Sequence, residues 1–299
     1  MLDCLPIEVH ARVGRTAETE DDFGSLDARG RRDIGAALQR LRETRDLRGV
    51  TVVINRLPPQ HVGLGSKTAT VLAALRACAL AGGWDAPEAT LQHLSGRGGA
   101  SGVGIHGFFC GGFVADGGHN VSPEVGFFPS SSGRAEGVPP LCARLEVPPD
   151  WRFHLFLPEG NCVAGANEEQ FFRENAPIPA DEAHAAICSM YHGVIPAIAA
   201  GSIATLAHAL RAIHRSGFKS RELGAQLSRV QGTYRALAAL DDVAVGMSSM
   251  GPLIYAVTGS SDVQLESELL RVARQHGAKR LAVARARNLG CEIGQSDGN

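Results

Sequence analysis

Three short stretches hold the residue types that could do chemistry. The first is PPQHVGLGSKTA, residues 58 to 69. Gly63 and Gly65, on either side of Leu64, permit a tight turn with backbone N–H groups facing inward. Ser66 and Thr68 offer hydroxyls, Lys67 a positive charge, and His61 stands just upstream. Between a strand and a helix such a loop is an anion site, because unpaired N–H groups and the helix dipole both favour negative charge. Lysine is disfavoured at a helix N-terminus, so Lys67 points to an anionic ligand. The longer Gly-to-Gly-Lys spacing of an ATP-binding Walker loop is absent. The dinucleotide fingerprint is absent too, since Thr68 occupies the third glycine position. The plain alternative is a strand-to-helix turn with Ser66 as an ordinary N-cap.

The second stretch, GRGGASGVGIHGFFCGGFVADGGH, has ten glycines in residues 96 to 119. Ile105, Phe108, Phe109, Phe113 and Val114 interrupt it, so it is no linker. Glycine at this density implies special backbone angles or close approach to a ligand. Arg97 and Gly98 could present a guanidinium fork and a free backbone to phosphate or carboxylate. Ser101 and Gly102 could add a hydroxyl and an N–H, or Ser101 could cap a turn. His106 could handle a proton or bind a carboxylate, or be a satisfied core histidine. Asp116 and His119 could bind a ribose diol, a metal or each other. The third stretch, GMSSMGP (246 to 252), puts Ser248 and Ser249 on a glycine-flanked turn. Asp241 and Asp242 mimic a phosphoribosyltransferase signature but lack its threonines and follow a helical pattern, so they read as a solvated turn.

The elements that must hold these stretches alternate between strand and helix. Ile7, Val9, Ala11 and Val13 alternate as a strand fragment, residues 31 to 44 have helical spacing, and VTVVI (50 to 54) is a strand entering the first loop. Residues 67 to 81 form an apolar helix stopped by Gly82-Gly83, and residues 86 to 94 a short helix. Residues 122 to 140 read as a surface loop and 143 to 160 as two strands, with Trp151 in the core and Arg152 paired. Residues 181 to 240 read as three helices, 243 to 259 as strand-turn-strand, 265 to 278 as a helix and 280 to 286 as a last strand. The class is α+β in two lobes, with a boundary expected at 145/146.

The chain has 299 residues and a formal net charge of −2. Only Lys67, Lys219 and Lys279 are lysines, and no basic run exists, which argues against nucleic-acid binding. Seven scattered cysteines without a CxxC fit a reduced, cytoplasmic protein without a cysteine zinc site. No apolar run is long enough for a membrane span.

The three stretches, in this order, resemble the GHMP superfamily, whose phosphate loop has the form P-x-x-x-G-L-G-S-S-A. Pro59, Gly63, Leu64, Gly65 and Ser66 match it. Within that superfamily the chain is most similar to the β-ribofuranosylaminobenzene 5'-phosphate synthases. It shares with them the glycine block, Pro129-Ser130-Ser131, Asp150-Trp151-Arg152-Phe153 and the run Gly246 to Pro252. The resemblance implies a GHMP-kinase-like fold: residues 1–145 as a lobe like the second domain of a small-subunit ribosomal protein, and 146–299 as a ferredoxin-like lobe. It also implies an enzyme that binds phosphoribosyl pyrophosphate. Such an enzyme joins ribose C1 to a ring carbon of an aromatic acid and releases CO2 and pyrophosphate, with Mg2+ as cofactor. By the same resemblance, Gly63 to Ser66, Thr68, Arg97, Gly98, Ser101, Gly102, Ser248 and Ser249 would bind phosphates. Lys67, His106 and Asp116 would be catalytic, with Asp116 also a metal ligand, and His61 and His119 would line the pocket. Partners would be small-molecule substrates, and a homodimer would fit the superfamily.

The chain departs from the family in several places. The family's N-terminal strand pattern is missing, so that strand is expected to be absent, and His10 has no counterpart there. Lys67 replaces a glycine, Ala100 a threonine, His106 a small residue and Cys110 a polar one. An extra cation at Lys67 would suit an acceptor with two carboxylates. The expected acceptor is therefore a pyrazole dicarboxylate, as in C-nucleoside synthases, ahead of 4-aminobenzoate or 4-hydroxybenzoate. An ATP-dependent small-molecule kinase and a non-catalytic ligand-binding relative are the alternatives.

Overall fold

The computed structural model describes residues 1–14, 20–47, 49–97, 102–119, 137–159, 166–259 and 262–294. Strand β1 (Glu8–Val13) turns Val9 and Ala11 inward and pairs antiparallel with β2 (Val50–Arg56). Helix α1 (Ala28–Arg45) connects them. It starts earlier than its apolar spacing suggests, because Asp27 is its N-cap and accepts from Gly30 N–H at 2.6 Å. Helix α2 (Ser66–Ala81) leaves the glycine loop, and the Gly82 N–H closes it on the Cys78 carbonyl. Ile34, Leu38 and Leu41 of α1 pack with Val52 and Ile54 of β2 and Leu72 and Leu75 of α2 in one core. That burial explains why α2 is apolar on most faces.

After α3 (Glu88–Leu94), part of the glycine block, whose composition implies special backbone angles or close approach to a ligand, forms a nine-residue helix, α4 (Gly102–Cys110). Ile105 and Phe108, one turn apart, anchor it in the core. Gly111 and Gly112, at φ +62 and +71, turn the chain into β3 (Phe113–Asp116), which pairs with β4 (Leu141–Leu145).

Strand β5 (Arg152–Pro158) opens a β-α-β-β-α-β arrangement closed by β6 (Ala244–Met247), β7 (Ile254–Thr258), α11 (Val263–Gln275) and β8 (Ala278–Ala284). The sheet order β6-β7-β5-β8, all antiparallel, is the ferredoxin-like one. Between β5 and β6 run α5 (Ala166–Asn175), α6 (Ala180–Ser189), a π-helical turn (Met190–Val194), α7 (Ile195–Ala199), α8 (Ile203–Arg215), α9 (Gly217–Gly224) and α10 (Ser228–Ala238). The expected three helices over 181 to 240 are thus subdivided. Gly201 at φ +65 and Gly217 at φ +64 supply two of the breaks. One sheet face packs Val245, Met247 and Ile254 against α10 and α11. The other packs Ala244 and Val257 against α7 and α8, with Trp151 buried among them. Among the described residues Arg152 has no ion-pair partner; its guanidinium donates to the carbonyls of Pro149, Asp150 and Trp151. Asp241 and Asp242 lie exposed in the turn before β6. Among the described residues no helix is long and apolar enough to cross a membrane.

Candidate active site

A cleft of about 1190 Å³ runs beside α2 and gathers all three stretches. His61, Gly63 to Thr68, Arg97, Gly102, Asp116, His119, Ser248 and Ser249 all line it. Gly98 and Ser101 lie outside the described residues, as do Ala100 and Pro129-Ser130-Ser131.

The glycine loop is held against the turn after β6. The Ser248 hydroxyl donates to the Gly63 carbonyl at 2.7 Å, and Leu253 N–H donates to the Val62 carbonyl at 3.3 Å. Gly63 has φ +98, and a Cβ there would lie 2.3 Å from the Ser248 carbonyl oxygen. Only glycine allows that approach. Gly65, at φ +64, is the N-cap of α2 and has open space around it. The first N–H groups of this sixteen-residue helix therefore lack a side-chain cap and face the cleft as an anion-binding end. Ser66 is buried, and its hydroxyl lies 3.5 Å from the Gln60 amide oxygen.

The cations around this end are partnered. Lys67 forms an ion pair with Asp33 of α1. An internal carboxylate thus offsets the dipole penalty that had suggested a ligand. Arg97 Nε donates to the Thr68 hydroxyl at 3.3 Å. Burial pushes the Arg97 guanidinium below its ordinary pKa; Asp33 opposes this, neighbouring Arg29 reinforces it, and Glu168 opposes it. A half-desolvated guanidinium between helix N-terminus and open cleft suits a phosphate. His61 sits at φ +60 with Nε2 3.0 Å from Asp27 Oδ2. The Gly30 N–H and then His61 hold the Asp27 carboxyl below the usual range. Arg29, Asp33 and Glu168 carry no motif, because α1 and α5 reach the site only through tertiary packing.

Asp116 lies at the end of β3 beside the first residue of α4. Its Oδ1 accepts from Gly118 N–H at 3.0 Å, and a Cβ on Gly102 would fall 2.2 Å from Oδ2. Glycine at 102 thus lets the carboxylate reach the start of α4. His106 is placed differently. It is not among the cleft-lining residues, and its Nε2 is 2.8 Å from the Pro139 carbonyl. It ties α4 to the chain leading into β4, where a proton-handling role would need it to face the cleft. Cys110 Sγ lies 2.8 Å from the His106 carbonyl.

No family model matches the chain. It is 34% identical over 236 residues to a β-ribofuranosylphenol 5'-phosphate synthase of Archaeoglobus fulgidus, covering 78% of this chain and 72% of the relative. It is 33% identical over 233 residues to the protein of that name from Methanothermobacter thermautotrophicus, covering 78% and 70%. Among solved structures it is similar to homoserine kinase of Cytophaga hutchinsonii (TM-score 0.71, 15% identity, 97% and 89% of the two chains). It is also similar to Streptococcus pneumoniae phosphomevalonate kinase with phosphomevalonate and AMPPNP (TM-score 0.68, 11% identity, 94% and 91%). Those structures establish the GHMP-kinase-like fold. The extent and level of the sequence identity establish more: the chain belongs to the β-ribofuranosylphenol 5'-phosphate synthase family.

Proposed function

We propose that this chain is a decarboxylating C-glycoside synthase that uses phosphoribosyl pyrophosphate. The observation that carries the reading is the uncapped, glycine-entered N-terminus of α2, flanked by Arg97 and Lys67, inside a cleft large enough for two substrates. The backbone N–H groups at Ser66 to Thr68 hold the pyrophosphate, and Arg97 neutralises charge that grows on it as the bond to ribose C1 breaks. The ring carbon bearing the carboxylate attacks C1. The bond to the carboxylate then breaks, CO2 leaves, and its electron pair restores the aromatic ring. The protein's own work is to position the two substrates and keep water from the sugar cation.

The acceptor is a 4-hydroxybenzoate or 4-aminobenzoate. The relatives' name denotes a ribosylated phenol, which favours this class over the pyrazole dicarboxylate. The Lys67–Asp33 pair removes the main argument for a second acceptor carboxylate. Mg2+ would accompany the pyrophosphate and supply charge neutralisation there. Among the described residues no three ligating side chains converge, so the site fits an ion held chiefly by phosphate oxygens, with Asp116 one of the carboxylates that line the cleft. The test is release of labelled CO2 from 4-hydroxybenzoate, 4-aminobenzoate and 4-amino-pyrazole-3,5-dicarboxylate, each with phosphoribosyl pyrophosphate and Mg2+. Release with a benzoate is expected. Release from the pyrazole alone overturns the acceptor, and release from none overturns the synthase.

A further inference from the structure

The turn that braces the glycine loop is itself gripped from behind. None of the gripping side chains lines the cleft. Lys219, on α9, donates through Nζ to the Ser249 carbonyl at 2.8 Å. Gln226, just past α9, donates through Nε2 to the Met250 carbonyl at 2.5 Å. His214, near the end of α8, has Nε2 2.9 Å from Met247 N and Nδ1 2.8 Å from the Leu210 carbonyl. A backbone N–H only donates and a carbonyl only accepts, so the ring proton sits on Nδ1 and Nε2 is the acceptor. His214, Gln226 and Glu222 are all buried. Glu222 pairs with Lys219 at 2.5 Å. An ion pair with one buried and one half-buried partner contributes little net stability against an apolar replacement, yet this one aims an ammonium at a backbone carbonyl.

We infer that Lys219, His214 and Gln226 are positioning residues that set the phosphate loop from behind, through the turn Met247–Met250. The inference rests on the proposed phosphate site. The path is short: the three side chains fix the turn, the Ser248 hydroxyl holds the Gly63 carbonyl, and Gly63 opens the anion-binding end of α2. The class of ligand whose affinity depends on the clamp is therefore the pyrophosphate-bearing substrate, with the aromatic acid affected less.

The test compares wild type with Lys219→Met/Glu222→Gln, which removes the pair without stranding a buried carboxylate, and with Gln226→Met and Lys219→Arg. Hydrogen exchange of the peptides covering Val62 to Lys67 is read alongside KM for each substrate. The double variant is expected to exchange about tenfold faster in that loop, though no substitution lies within it. Its KM for phosphoribosyl pyrophosphate should rise at least about tenfold while that for the aromatic acid moves less than about twofold. Gln226→Met should shift both in the same direction, and Lys219→Arg should restore most of the loss. Unchanged loop exchange, or equal rises in both KM values, overturns the clamp. If wild type releases no pyrophosphate, the synthase reading fails on its own, and loop exchange together with binding of inorganic pyrophosphate still decides the clamp.

Discussion

Replacing Gly63 by alanine probes the contact on which the cleft depends. The new Cβ would lie 2.3 Å from the Ser248 carbonyl oxygen and 3.1 Å from its carbon. Ordinary C···O contact is about 3.3 Å, so the loop and the turn must part by about 1 Å. That stretches the 2.7 Å Ser248–Gly63 hydrogen bond and the 3.3 Å Leu253–Val62 bond beyond useful length. Each lost bond costs about 1 kcal/mol, and alanine at positive φ costs about 1–2 kcal/mol more. The expected loss is about 3 kcal/mol in urea unfolding, with kcat/KM for phosphoribosyl pyrophosphate down about 100-fold. Gly65→Ala is the control. It has φ +64, and a Cβ added there would meet no atom of the described residues within 4 Å beyond its own chain neighbours, so it pays only the backbone strain, about 1–2 kcal/mol. If Gly63→Ala is as stable and as active as Gly65→Ala, the loop–turn contact is not what shapes the site.

Further consequences can be measured separately. Arg97→Lys keeps the charge but loses the planar fork, so KM for phosphoribosyl pyrophosphate should rise by about 10- to 100-fold in initial-rate kinetics. Arg42→Met should cost about 3 kcal/mol in urea unfolding, because Asp21, held by two guanidinium nitrogens at 2.7 and 2.8 Å, would be left largely buried and unpaired. Burial depresses the His214 pKa to about 4. The unfolded chain binds a proton near pH 6.5 that the folded one refuses. Stability is therefore full above about pH 6.5 and falls as pH drops toward 4. The loss should reach about 3 kcal/mol, and His214→Gln should remove that pH dependence from the denaturation curves.

The turn from the glycine loop into α2 was legible in the sequence because its logic is local. Gly63, Gly65 and Ser66 announce a turn into a helix, and the apolar run after them could only be a buried helix. The antiparallel ferredoxin-like sheet was legible once the resemblance was drawn, since β5 to β8 keep clear turn signals. What escaped depends on contacts distant in sequence. Gly63 must be glycine because of a carbonyl 185 residues further along the chain. Lys67 seemed to demand a ligand because nothing local reveals Asp33 one helix earlier. The glycine block hid α4, since low helix propensity was overruled by the burial of Ile105 and Phe108 and by the need for Gly102 to admit Asp116. His106 shared a motif with pocket residues, yet its backbone position turns it to the Pro139 carbonyl. Lys219 was visible as a rare lysine, but its role needed the fold.

The most direct measurement is stoichiometry. The protein is incubated with phosphoribosyl pyrophosphate, Mg2+ and 4-hydroxybenzoate or 4-aminobenzoate, and CO2, pyrophosphate and the ribosylated product are counted together, with ATP consumption measured in parallel. Equal amounts of CO2, pyrophosphate and C-linked product, with no need for ATP, are expected. Pyrophosphate without CO2, or turnover that consumes ATP instead, would contradict the decarboxylating C-glycoside reaction.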